Sequence, residues 1–240
     1  METVIAQDAT AAVAHATEAL HRALLPSHAH AMLLLLSGGS VLTLLQRVPK
    51  GVMWKNVTIG VVDERFRAPQ EHRNDAVLRT TALVHHACTK GAQFITVAHD
   101  TPTRTDAAQR YEKTLRAWHG THPHAQVVTV LGMGPDGHTA GIMPFPEDPQ
   151  MFAQLFEDPQ CDVVGYDAAG KNPFSERVTL TLSYLRAHST QSIVFVTGEA
   201  KRAAYAALMA PHGTYAQTPA RVFHDMRNVT LYGSADLVQP

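Results

Sequence analysis

The chain has 240 residues, of which 45% are hydrophobic and 17% charged. That balance fits a globular protein and excludes an intrinsically disordered chain. A formal net charge of −1 excludes a global attraction to nucleic acid or to an anionic membrane, so local positive groups have to hold any anionic ligand.

In chain order, residues 4–25 have the alanine-rich amphipathic pattern of a helix, with Ile5, Val13, Leu20 and Leu24 facing inward and Pro26 ending it. Ala31 to Leu36 is a short continuous apolar run, the mark of a strand buried on both faces. SGGS follows, and helical spacing resumes over 41–48. Val57 to Val62 is a second such strand and ends in Asp63-Glu64-Arg65. The pattern predicts helices over 74–84 and 106–118, and strands over 93–97 and 126–131. The segment 145–171 is rich in Pro and Asp and has no clear period. Strands are expected over 177–181, 192–197, 221–223 and 229–232, with a helix over 199–209. Short apolar strands alternating with helices imply an α/β fold with a parallel-rich sheet. No linker or repeat divides the chain, so one domain over 1–240 is expected.

Cys88 and Cys161 form neither a CxxC nor a disulfide framework, which suits a reducing compartment. The first twenty residues lack a signal-peptide core, and AMLLLLS is too short to span a bilayer. A cytoplasmic protein without a membrane partner is the expectation. The histidine pairs His28/His30, His85/His86 and His122/His124 stand without cysteines or an HExxH motif, so no metal is expected.

Four polar motifs each follow a strand: SGGS, DER, GMGPDGH and GEAK. In a parallel sheet the C-terminal strand ends share one edge, where open α/β sheets bind ligands. Ser37, Gly38, Gly39 and Ser40 open a turn whose N–H groups attract phosphate. Arg65 is placed to clamp an anion or an oxyanion, and Asp63 to face the crevice. Gly132, Gly134 and Gly137 relax the backbone around Asp136 and His138. A histidine there suits a general base on water, with Asp136 or Asp63 to orient it. Arg177 and Lys201 are further candidate anion ligands.

Together LSGGS (36–40), DERF (63–66), LGMGPDGHTA (131–140), RVTLTL (177–182) and GEAK (198–201) resemble the 6-phosphogluconolactonase family over nearly the whole chain. The resemblance implies the sugar-phosphate isomerase/deaminase fold. It also implies hydrolysis of 6-phospho-D-glucono-1,5-lactone, the second step of the oxidative pentose phosphate pathway, with no metal or organic cofactor. On it, His138 with Asp136 or Asp63 is catalytic. Ser37, Gly38, Gly39, Ser40, Arg65, Gly134, Arg177 and Lys201 bind substrate. The family's SLFPG after GHTA is replaced by Gly141-Ile142-Met143-Pro144-Phe145, and its Ser-Asn after DER by Arg73-Asn74. Two alternatives stand beside this reading. A deaminase of the same fold places a glutamate five residues after the histidine, where this chain has Met143. A non-catalytic sugar-phosphate sensor would keep the anion ligands and lose the base.

Overall fold

The computed structural model describes residues 1–238. The chain opens with β1 (Glu2–Ala6) and α1 (Ala9–Leu24), followed by β2 (Met32–Leu36) and β3 (Val57–Val61). Next come β4 (Asp63–Arg65), α2 (Asn74–Thr80), α3 (Ala82–Thr89), β5 (Gln93–Phe94) and α4 (Arg104–Thr121). The second half holds β6 (Gln126–Gly132), α5 (Pro149–Phe156), β7 (Val163–Asp167) and β8 (Glu176–Leu180). It ends with α6 (Leu182–His188), β9 (Gln191–Val196), α7 (Arg202–Met209) and β10 (Val229–Ser234).

Seven strands form one parallel sheet in the order β1-β10-β9-β6-β2-β3-β5. The apolar runs explain its centre. Every residue of β2 and β3 is buried, so neither strand alternates with polar positions. Truncating one of the buried leucines Leu33 to Leu36 to alanine costs about 2–5 kcal/mol. A smaller antiparallel sheet, β4-β8-β7, stands beside the first. Val62 joins the two: its N–H donates to Leu36 O at 3.0 Å, and its carbonyl accepts from Leu180 N at 2.9 Å.

Several local expectations are corrected. The first residues of the helix expected over 4–25 instead form β1, because Asp8 caps α1 by accepting Ala11 N at 2.8 Å. The helix expected over 74–84 is two helices, broken where Thr81 adopts an extended backbone. Residues 221–223 are not a strand; they lie in a 3-10 turn, Pro219–His224, whose apolar side chains are buried. The helix expected from Glu199 starts as a 3-10 turn and becomes α-helical at Arg202. SGGS likewise leads into a 3-10 segment, Gly39–Gln46. The unassigned segment 145–171 contributes α5 and β7. DER is not the end of β3. It forms β4 of the second sheet, with Asp63 and Glu64 buried.

Candidate active site

The C-terminal ends of β2, β6 and β9 lie side by side, so the segments that follow them meet at one edge. There Ser37 to Ser40, Gly134, His138 and Lys201 line a cleft of about 180 Å³. Asp63 and Arg65 from β4 and Arg177 from β8 complete it from the second sheet. Asp136 is not a lining residue; it reaches the cleft through His138. Asn74, Gly132, Met133, Ala140 and Asn172 also line the cleft and were not among the sequence candidates. Met133 and Ala140 belong to the glycine-rich motif and Asn74 stands where the family pattern has its asparagine, so those signals were present. Asn172 lies just after the aperiodic segment 145–171, in the stretch that precedes RVTLTL.

After β6 the chain turns back on itself. Gly137 N donates to Gly134 O at 3.1 Å, and Gly134 N donates to His138 O at 2.9 Å. This turn brings residues two apart into contact: His138 Nδ1 lies 2.5 Å from Asp136 Oδ1, and His138 N donates to the same oxygen at 3.2 Å. Burial works to raise the Asp136 carboxyl. The hydrogen bond from His138 and its charge outweigh that and hold it below the usual carboxylate value. Against a carboxylate, Nδ1 carries the proton, which leaves Nε2 as the basic atom of the ring. No helix begins at Thr139, so Asp136 is not a helix cap. Thr139 instead pairs with Ile142 in a short bridge.

Lys201 Nζ sits 3.4 Å from Ser40 Oγ, joining β9's loop to β2's. Burial pushes the Lys201 ammonium below its usual value. A half-buried cation beside a serine hydroxyl and the first N–H groups of a turn, which lack intrahelical acceptors, gives this corner the charge and donors that suit an anion.

Arg177 is placed differently from the expectation that it joins this corner. Its Nη2 pairs with Asp63 Oδ2 in a buried ion pair that links β8 to β4. Asp63 is therefore engaged by Arg177, and Asp136 is the carboxylate at His138. Arg177 Nε and Nη1, and Arg65 Nε, are buried without a protein acceptor. Arg65 Nη1 donates to His72 O at 2.8 Å. The N–H groups of Gly134 and Gly137 are engaged inside their own turn and are not free for an oxyanion. The unpartnered guanidinium N–H groups remain, and buried donors of this kind call for an oxygen-rich ligand.

Glu64, between the two site residues of β4, faces away from the cleft. Burial pushes its carboxyl up to about 7, against three backbone N–H bonds that pull it down, while the Asp75 charge adds to the rise. Glu64, Asp75 and His99 each bring one ligand atom within 4.8 Å of the others. This trio lies outside the cleft lining, and Glu64 already accepts from Arg65, Asn74 and Asp75.

Fold and cleft together define an α/β protein with a small polar cleft at the strand ends of a mostly parallel sheet. The chain belongs to the family described as glucosamine-6-phosphate isomerases/6-phosphogluconolactonase, whose model matches residues 5–232. It is similar to a 6-phosphogluconolactonase of Mesorhizobium japonicum, with 33% identity over 160 residues, 67% of this chain and 63% of that protein. The match thus spans less than two thirds of that relative's length. Its fold matches a 6-phosphogluconolactonase structure from Shewanella baltica, with TM-score 0.81 and 22% identity over 98% of both chains. It also matches the fold of a monomeric glucosamine-6-phosphate deaminase, with TM-score 0.72 and 15% identity over 99% of this chain and 98% of that one. The sugar-phosphate isomerase/deaminase fold expected from the motifs is the fold observed.

Proposed function

We propose that this chain hydrolyses 6-phospho-D-glucono-1,5-lactone to 6-phosphogluconate in the oxidative pentose phosphate pathway. The observation that carries the reading is the presence, in one cleft, of the Asp136–His138 pair and the Lys201–Ser40 corner. The 6-phosphate rests on Ser37 to Ser40 and Lys201, which leaves the lactone carbon toward His138. His138 Nε2 takes a proton as water attacks C1. Negative charge builds on the carbonyl oxygen, and the guanidinium of Arg65 meets it. When the C1–O5 bond breaks, the imidazolium returns its proton to O5, which leaves as a hydroxyl. Asp136 holds the ring and stabilises its charged form. No step in this sequence uses a metal or an organic cofactor.

The deaminase alternative fares less well on the same geometry. Met143 stands where that activity needs its glutamate, and it is 1% exposed. Glu147, the nearest acid downstream, is not a cleft residue; it pairs with Lys171 at 2.6 Å. The sensor alternative leaves the Asp136–His138 contact without a purpose. A cytoplasmic location and a small-molecule partner belong to the same proposal. No helix among the described residues is long and apolar enough to cross a membrane.

The test is acid release from fresh 6-phosphogluconolactone, followed against a spontaneous-hydrolysis control. Acceleration proportional to protein concentration supports the reading. A rate equal to the control at micromolar protein removes it.

A further inference from the structure

Glu64 is completely buried, and a buried carboxylate is costly unless donors surround it. Its Oε1 accepts from Arg65 N at 2.7 Å and from Asn74 N at 2.8 Å. Its Oε2 accepts from Asp75 N at 2.8 Å. One side chain therefore ties β4 to the first residues of α2. The residue it holds there has a second task. Asn74 Nδ2 donates to Asp63 O at 2.9 Å, and its amide oxygen points at the SGGS loop. A Cβ built on Gly38 would fall 2.3 Å from Asn74 Oδ1, so the amide oxygen fills the space beside that glycine that a side chain would need.

We propose that Glu64 is a positioning residue for anion binding and acts through Asn74: it fixes the start of α2 so that the Asn74 amide braces Gly38. The anion corner is then set by three elements. β2 supplies the loop, β9's loop supplies Lys201, and Glu64 supplies the support from behind. Two features make the brace more than ordinary packing. The Asn74 side chain is itself part of the cleft wall, and the loop it touches has no side chain at Gly38 to hold it otherwise. Loss of the support lets the loop relax and spreads the N–H groups that face the phosphate.

The inference rests on the lactonase reading for its substrate, but not for its anion, and the test separates the two. Inorganic phosphate is titrated by calorimetry into wild type, Glu64→Gln, Asn74→Ala and the double variant. Lactone kcat and KM are measured on the same four proteins. A glutamine at 64 keeps the shape but turns an N–H₂ group toward backbone donors. Each single variant should raise the phosphate Kd and the lactone KM about tenfold, the scale of one hydrogen bond to a charged group. The kcat should fall much less. The double variant should be no worse than either single, because both changes remove one brace. If Glu64→Gln does not fold, Glu64→Asp serves: it keeps the carboxyl group, cannot reach all three N–H groups, and should raise Kd in the same way. A phosphate Kd within about twofold of wild type in either Glu64 variant, or single effects that multiply in the double variant, overturns the proposal. Wild type that binds no phosphate overturns it as well. Wild type that binds phosphate but does not hydrolyse the lactone sinks the lactonase reading alone, and the brace is then judged on Kd.

Discussion

A Cβ on Gly134 would lie 2.1 Å from Cε1 of His138 and 2.2 Å from its Nδ1. The imidazole thus occupies the space a side chain at 134 would need, and it is held there by Asp136. Gly134→Ala should push the ring off its carboxylate while leaving the anion corner in place. We expect kcat to fall about a hundredfold, the scale of losing a general base, with KM little changed. Steady-state hydrolysis with the spontaneous rate subtracted checks this. A variant with wild-type kcat would show that the Asp136–His138 contact has no part in the reaction.

His138→Asn removes the base and keeps the volume of the ring. It should lower kcat by about a hundredfold or more while product binding, followed by calorimetry with 6-phosphogluconate, stays close to wild type. If His138→Asn keeps its rate, the base lies elsewhere and Asp136 is the next group to replace.

Lys201→Ala should act on binding. The cation meets the phosphate equally in ground and transition states, so its loss raises KM and spares kcat. Wild type should strongly prefer the phosphorylated lactone over glucono-1,5-lactone. Equal kcat/KM for the two lactones would overturn the assignment of the corner to phosphate.

Dialysis against a chelator should leave the activity intact, because no step of the proposed reaction passes through a metal. Activity lost on chelation and restored by a divalent ion would shift attention to Glu64, Asp75 and His99.

Stability should depend on pH through a histidine pair far from the cleft. His119 and His188 stack with ring centroids 4.3 Å apart, and His119 Nε2 lies 3.0 Å from Tyr184 OH. Burial, with the neighbouring His188, lowers His119 from 6.5 to about 4; burial also lowers His188. For a base with a depressed folded value, the unfolded chain binds more protons between those limits. The contribution is full above about 6.5 and is lost as pH falls toward about 4. Denaturant midpoints should fall across that window, and His119→Gln should flatten the slope. An unchanged slope in the variant would place the acid sensitivity in other groups.

The fold is legible in the sequence where the signal is local. The runs expected as strands over 31–36, 57–62 and 126–131 form β2, β3 and β6, whose central residues are buried. Asp136 and His138 share one turn, so their proximity was visible, though not which carboxylate meets the ring. The misses are long-range. Asp63 and Arg177 are 114 residues apart and meet only because β4 pairs with β8. Nothing local distinguishes the DER of a strand end from the DER of a second sheet. Val222 and Phe223 looked like strand because burial selects apolar residues in any backbone, and the preceding Pro219 starts a 3-10 turn instead. The engagement of the Gly134 and Gly137 amides is a matter of turn geometry that composition does not carry.

Val62 is the one residue between β3 and β4, with a backbone bond into each sheet. Bending at Val62 would break one of these two bonds, so the two walls of the cleft are expected to move as one body. Amide exchange offers a direct view of this. The N–H groups of Val62 and Leu180 should exchange with deuterium at a common slow rate, set by unfolding of the whole molecule, while those of the 169–175 loop exchange by local fluctuation. Breathing of the cleft, where it occurs, is then left to the loops and not to the sheets.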